Sequence, residues 1–367
     1  MRLIETRLVK EGSLLAKTIY NNNDDILLHE GVLLTSRMIE RLCELGVAYI
    51  NIHDSLTADI TSSHEGIHKH TRKTALEAIK KEFHQVTDSK SLSGRLNNEY
   101  LDKNFSVIIK MILEDISKNK NALSMITNVV LHDSYIFTHS LNVTIYTLGL
   151  AIQLGFTERQ LYEIGLGAIL HDIGKVQIPL SVLNKESGLT DLEYKEIKDH
   201  TVFGYEMIKD IPGMSLMTAH CALQHHERLD GSGYPFGRTE IHPYAKIIAV
   251  CDVFDAVTTN RSYRKGMLPQ EGLELLYSGI GTHFDIEIVE AFRDVIAIYP
   301  IGLSVTLSDG RKAVVIKQNK EVTARPVVRV YAENGKKVTP YDINLVEQMN
   351  VTIVQCGKNL TAKPILI

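Results

Sequence analysis

The sequence predicts a mainly α protein, with a helical bundle at its centre, a small α+β domain before it and a small β-rich appendage after it. Three observations carry this prediction. Between residues 121 and 298 apolar residues recur at helical spacing, and Pro179, Pro212, Pro235, Pro243 and Pro269 punctuate the loops. The first 55 residues mix strand-like and helical patterns. From residue 301 onward β-branched runs are separated by Asp309-Gly310 and Asn334-Gly335, pairs that favour tight hairpins.

In residues 1–55, the stretch 14–20 has strand composition, 21–25 is a turn and 26–28 starts a return strand. Thr35 or Ser36 caps a helix with Met38, Ile39, Leu42 and Leu45 on one face. Gly46 ends it, and 47–52 is a last short strand. Residues 56–120 read as a polar linker followed by connecting helices. His64, His68 and His70 lie in the linker among Ser, Gly, Lys and Thr, with no carboxylate framework, which describes solvated chain better than a metal site. Leu76, Ile79 and Phe83 predict a helix, and 105–116 is apolar enough to pack on two sides. Helices of this kind over 72–118 join domains or form a homodimer seam.

The bundle, residues 121–300, is expected to hold helices over 122–131, 139–154, 158–170, 191–198, 213–226, 244–259 and 269–279. The appendage, residues 301–367, is expected to hold strands around 305–307, 313–316, 327–331 and 351–354.

Composition narrows the function. Of 367 residues 44% are hydrophobic and 23% charged, ordinary values for a globular protein. A net charge of −4 and a pI near 6.4 argue against a general binder of DNA, RNA or anionic membranes. No apolar run approaches the roughly 20 residues of a membrane span, and the first residues lack the apolar core of a signal peptide, so a cytoplasmic location is expected. Cys43, Cys221, Cys251 and Cys356 are scattered and read as buried reduced thiols.

Chemistry concentrates in the bundle. His171-Asp172-Ile173-Gly174-Lys175 ends an apolar helix. An imidazole and a carboxylate side by side can reach one metal, leaving the second carboxylate oxygen to bridge to another, although a capped helix end looks the same in isolation. Further candidate ligands are His139, which opens a helix; His200, before Thr201-Val202-Phe203-Gly204; His225 and His226, which close a helix; and Asp252, inside an apolar one. An antiparallel bundle brings such positions to one layer. Asp252 needs a partner if buried, and the alternatives are a metal or an ion pair with Arg261 or Arg264. Together these side chains can hold two divalent metals. His139, His171 and Asp252 would take the first, His200, His225 and His226 the second, with Asp172 between them. Imidazole and carboxylate without thiolate suit Fe or Mn, and less well Zn, Ni or Co. Two metals about 3.5–4 Å apart acidify a shared water and clamp a phosphate for in-line displacement. His132, His220, His242 and His283 match nothing in this pattern and read as surface or packing residues.

Over residues 121–298 the sequence closely resembles the HD-GYP branch of the HD phosphohydrolase superfamily. The resemblance rests on His171-Asp172 and on Gly233-Tyr234-Pro235 within the long run from His225 to Pro235. It implies an HD-type helical bundle and a bacterial signalling enzyme that hydrolyses cyclic di-GMP to linear pGpG or GMP, usually with Fe or Mn. It implies the metal ligands His139, His171, Asp172, His200, His225, His226 and Asp252, with His171, Asp172 and Lys175 in catalysis. Some members hold a third metal on a glutamate one helical turn before the first histidine. Here that position is Tyr135, so two metals are expected. Lys175 would act on the substrate phosphate, adding positive charge beside the metals. Arg261 and Arg264 would contact the dinucleotide, and Asp255 would orient Arg264 or a ligand histidine. Gly231, Gly233 and Pro235 would shape a loop against the site, and Tyr234 would stack on a base or position a partner. The first and last segments resemble, more weakly, accessory regions of Gram-positive members. Two other readings remain: an HD hydrolase of another nucleotide, such as cyclic GMP-AMP or a phosphorylated guanosine, and a nucleotide-binding or interaction module with little turnover.

Overall fold

The computed structural model describes residues 1–21, 26–60, 67–87, 98–118, 129–130, 135–183, 185, 188–261, 266–319 and 322–357. At the N-terminus β1 (Arg2–Glu5) pairs with β4 (Tyr49–Ile52), and β2 (Ile19–Tyr20) pairs with β3 (Ile26–Leu28), both antiparallel. Between them lies α1 (Ser36–Glu44), whose N-cap Thr35 accepts a hydrogen bond from the Met38 amide. Gly46 follows with φ of 80°, the left-handed conformation that lets the chain leave the helix. Leu15, Leu34, Leu42, Val47, Ile50 and Ile52 close a small core. The strand expected over 14–20 is shorter: Leu14 and Leu15 make only isolated bridges, to Leu33 and Ile52. The turn at 21–25 lies outside the described residues except for Asn21.

Helices α2 (Lys69–Thr87) and α3 (Asn98–Lys118) follow. His68 immediately precedes α2 and is paired, its Nδ1 and amide bound to the Asp115 carboxylate at 2.7 and 2.9 Å, so it is not simply solvated. Leu76, Ile79, Phe83, Phe105, Ile108 and Ile112 are buried in the same core as the bundle, so the chain itself covers the apolar faces that made 72–118 a candidate seam.

The bundle contains α4 (Tyr135–Gln153), α5 (Glu158–Leu170), a 3-10 turn (Ile173–Gln177), α6 (Leu180–Leu183), α7 (Asp191–Lys198), α8 (His200–Ile208), α9 (Leu216–Gln224), α10 (Pro243–Thr258), α11 (Pro269–Ser278) and α12 (Ile286–Val295). The helix expected over 122–131 is not what forms at its end. Val129–Val130 is a strand, β5, paired in parallel with β6 (Asn260–Arg261), and 122–128 and 131 lie outside the described residues. A β-branched pair takes the extended state when a distant strand supplies its hydrogen bonds. Thr157 and Thr190 cap α5 and α7 with reciprocal side-chain bonds, which explains why their starts were readable.

The C-terminal segment is a five-stranded antiparallel sheet in the order β10-β9-β8-β7-β11, from β7 (Ser304–Leu307), β8 (Lys312–Lys317), β9 (Val327–Glu333), β10 (Lys336–Asn344) and β11 (Ile353–Cys356). Both hairpin signals fall between paired strands. Strand β1 meets the start of the C-terminal sheet. Leu3 donates its amide to Gly302 O, Arg2 bonds Ser304, and Leu3 joins the core of the sheet. All cysteines are free; Cys221 and Cys251 are buried, but Cys43 is exposed on α1, contrary to expectation. Among the described residues no helix is long and apolar enough to cross a membrane.

Candidate metal centre

The candidate ligands come from the helix ends and interiors that face one layer of the bundle. His139 lies one turn inside α4, not at its opening. His171 is the C-cap of α5 and Asp172 follows it; His225 is the C-cap of α9 and His226 follows it. His200 begins α8, and Asp252 sits in the buried stretch of α10. Close backbone approach makes this convergence fit. A Cβ on Gly174 would lie 1.9 Å from His200 O and 2.5 Å from Gly204 N, so only glycine lets the turn after Asp172 press against α8.

The ring nitrogens and carboxylate oxygens fall into two groups that share Asp172. Its Oδ2 lies 3.6 Å from His139 Nε2 and 3.5 Å from His171 Nε2. Its Oδ1 lies 3.4 Å from His200 Nε2 and 3.8 Å from His225 Nε2. His226 belongs to the second group. Asp252 stands between the groups, with Oδ1 3.0 Å from His139 Nε2 and Oδ2 3.8 Å from His226 Nδ1. Its partners are these histidines, so neither arginine is needed to account for its burial.

The outward-facing nitrogens are tied down. Nδ1 of His171, His200 and His225 donates to Ala168 O, Ile197 O and Cys221 O at 2.7, 2.6 and 3.0 Å. Carbonyls only accept, so the proton is on Nδ1 and the Nε2 lone pairs point inward. His139 Nδ1 lies 2.7 Å from Asp255 Oδ2, so Asp255 meets a candidate ligand histidine.

Protonation suits cation binding. Burial, followed by Lys175 next to it, lowers the His200 pKa to about 4, and burial holds His171, His225 and His226 below the usual imidazole range. Burial would raise both carboxylates, but Lys175 and the surrounding histidines keep Asp172, and the hydrogen bond from His139 with the charges of His226 and His171 keeps Asp252, well below the ordinary carboxylate value. His139 differs: burial opposes its charge, yet hydrogen bonds to Asp252 and Asp255 raise it to about 9. His171 Nε2 and Asp172 Oδ1 are buried without a hydrogen-bond partner. Buried polar atoms of this kind need a partner, and a divalent cation facing them supplies one. The donor set fits a metal pair.

Lys175 Nζ lies 2.5 Å from Asp172 Oδ2. The Tyr234 ring stacks on His226 at 4.6 Å between centroids, and Lys198 stands over the Tyr234 and Tyr194 rings at 5.2 and 4.4 Å. Gly233 packs so closely that a Cβ there would lie 2.5 Å from Glu227 Cα, and Pro235 follows Tyr234 through a cis peptide. Buried Glu227 accepts from the Phe236 and Arg238 amides at 2.9 and 3.0 Å and so holds the loop. Sequence reasoning missed Glu227 and Lys198; a carboxylate directly after two ligand histidines was the available signal. Arg261 stands in β6, and Arg264 lies outside the described residues. Of the remaining histidines, His242 caps α10, His220 packs on Tyr205, and His132 and His64 lie outside the described residues.

A helical bundle with these donors at its centre defines an HD-domain protein, and residues 112–288 match the HD domain family. The match spans the centre just described and both of its motifs, His171-Asp172 and Gly233-Tyr234-Pro235. Residues 304–361, the span of β7–β11, match the KOW domain associated with HD domain. The chain is 36% identical over 235 residues to the cyclic di-GMP phosphodiesterase PA4108 of Pseudomonas aeruginosa, covering 64% of this chain and 56% of the relative. It is 42% identical over 144 residues to the cyclic di-GMP phosphodiesterase response regulator RpfG of Xanthomonas campestris pv. campestris, covering 38% of each. It is 30% identical over 168 residues to the 3'3'-cGAMP-specific phosphodiesterase 3 of Vibrio cholerae, covering 45% of this chain and 36% of the relative. The matches thus span about half the length, or less, of these curated relatives. Among solved structures, the HDG"Y"P protein Bd1817 from Bdellovibrio bacteriovorus has a TM-score of 0.47 at 16% identity, covering 80% of this chain and 98% of its own.

Proposed function

We propose that the protein is a metal-dependent phosphodiesterase that hydrolyses cyclic di-GMP to linear pGpG, GMP or both. The observation that carries this reading is Asp172, 1% exposed, whose two oxygens face two separate histidine groups. His139, His171 and Asp252 would hold one divalent cation, His200, His225 and His226 the other, and Asp172 would bridge them. Nitrogen and oxygen donors without thiolate favour Fe or Mn. Tyr135, where a third metal would need a glutamate, favours two. When bound, such a pair lowers the pKa of water and draws charge from the attacked phosphate.

The chain's own groups do the rest. Lys175 presents a cation beside Asp172, where charge develops on the phosphate oxygens. Tyr234 offers an aromatic face at the rim of the centre, and Arg261 with Arg264 would bind phosphate or guanine edges bidentately. Asp255 holds His139 in one tautomer.

Likeness to a 3'3'-cGAMP-specific phosphodiesterase favours cyclic GMP-AMP as the alternative substrate of the same chemistry. The test is elemental analysis of anaerobically purified protein, paired with turnover of cyclic di-GMP and cyclic GMP-AMP. We expect about two metals per chain, cyclic di-GMP turned over faster, and loss of both metal and activity in Asp172→Ala. Full hydrolysis by Asp172→Ala would overturn the reading.

A further inference from the structure

We infer that Arg72, on α2 and before the matched HD domain, is a positioning residue for the metal ligand His139, acting through Asn142 and Asp255. The inference rests on the proposed ligation of a metal by His139. Arg72 Nη1 donates to Asn142 Oδ1 at 3.2 Å, Asn142 Nδ2 donates to Asp255 Oδ1 at 2.9 Å, and Asp255 Oδ2 lies 2.7 Å from His139 Nδ1. The direction of this relay is unambiguous. A guanidinium only donates and a carboxylate only accepts, so the Asn142 amide has a single orientation that satisfies both neighbours.

Four features make the relay a positioning device. Asn142, Asp255 and His139 are 2, 1 and 2% exposed, so bulk water cannot replace a missing partner. Asn142 lies three residues after His139 on α4, so both side chains reach Asp255 from one helix face. Helix α2 packs against α4, which carries His139, and against the 3-10 turn that follows Asp172. Thr259 Oγ1, 3.0 Å from Asp255 Oδ1, is a second donor to the oxygen that Asn142 holds. Removing Arg72 leaves Asn142 free to rotate its amide, and Asp255 Oδ1 then keeps only the Thr259 hydroxyl as a fixed donor. Hydrogen bonds behind metal ligands alter metal affinity about 10–100-fold; Arg72 stands two bonds further out, so a smaller effect is expected.

The experiment is Mn²⁺ titration of the full chain by calorimetry and EPR, with the urea unfolding midpoint measured on each variant. Arg72→Ala should weaken one of two Mn²⁺ sites about three- to tenfold and leave the other unchanged. Asn142→Ala should weaken the same site by about tenfold or more, and Arg72→Lys, which can still donate to Asn142, should recover most of the loss. Wild-type binding at both sites in Arg72→Ala would overturn the inference. So would equal loosening of both sites with a lowered midpoint, since that is the signature of damaged packing. His139→Ala is the control on the underlying reading. If it keeps both Mn²⁺ ions, the ligand assignment fails; if it loses one while Arg72→Ala is normal, the relay alone fails.

Discussion

Lys175 Nζ lies 2.5 Å from Asp172 Oδ2, so the carboxylate shared by both histidine groups is also paired with a lysine. The pairing separates two roles for Lys175. If it acts on substrate, Lys175→Met should cut cyclic di-GMP turnover about 10²–10³-fold, the usual cost of removing one charge-stabilising donor. Metal affinity should hold or rise, because a cation has left the neighbourhood of the ligands. Metal content and turnover measured on the same preparation decide it. Parallel loss of both would make Lys175 a structural counterion.

Metal uptake should be coupled to proton release. His139 carries a proton at neutral pH, since its hydrogen bonds to Asp252 and Asp255 outweigh burial and raise its pKa to about 9. Its Nε2, 3.0 Å from Asp252, is the atom a cation would take. The proton and the cation compete, so apparent affinity should rise about tenfold per pH unit up to about pH 9 and then level off. Below about pH 4 His200 also protonates and the second group should weaken. Calorimetry of Mn²⁺ binding at pH 7 in two buffers of different ionisation enthalpy should report about one proton released per chain. A buffer-independent enthalpy would count against this protonation pattern.

Gly174→Ala should destabilise the fold by about 3 kcal/mol, because the added Cβ meets the backbone of His200 at 1.9 Å and that of Gly204 at 2.5 Å. Relief requires α8 to move, and His200 moves with it. The urea midpoint should drop and metal content should fall together. An unchanged midpoint would show that the turn after Asp172 does not depend on this approach.

The double variant Arg261→Ala/Arg264→Ala should raise KM for cyclic di-GMP about tenfold or more, the scale of losing charge-assisted hydrogen bonds. Metal content should stay as in the parent chain, since neither arginine is among the grouped ligands. Steady-state kinetics read both kcat and KM. An unaltered KM would remove these residues from substrate binding.

The sequence alone determined which side chains are candidate donors and most of the helices. Asp172, His225 and His226 were legible as candidates because their motifs are continuous in the chain, and His139, His200 and Asp252 because donor chemistry belongs to residue type. The starts of α5 and α7 were readable because caps are local hydrogen bonds. The strand at Val129–Val130, the docking of Leu3 beside Leu303 and the relay from Arg72 to His139 were decided only in three dimensions. Each depends on partners separated by tens to hundreds of residues, and a local pattern of apolar and polar positions holds no record of which distant groups meet. The same holds for Asp172. Its neighbours in sequence announced a metal ligand, but only the packing of α4, α5, α8 and α9 turns one oxygen toward His139 and the other toward His200, because side-chain direction follows from helix orientation.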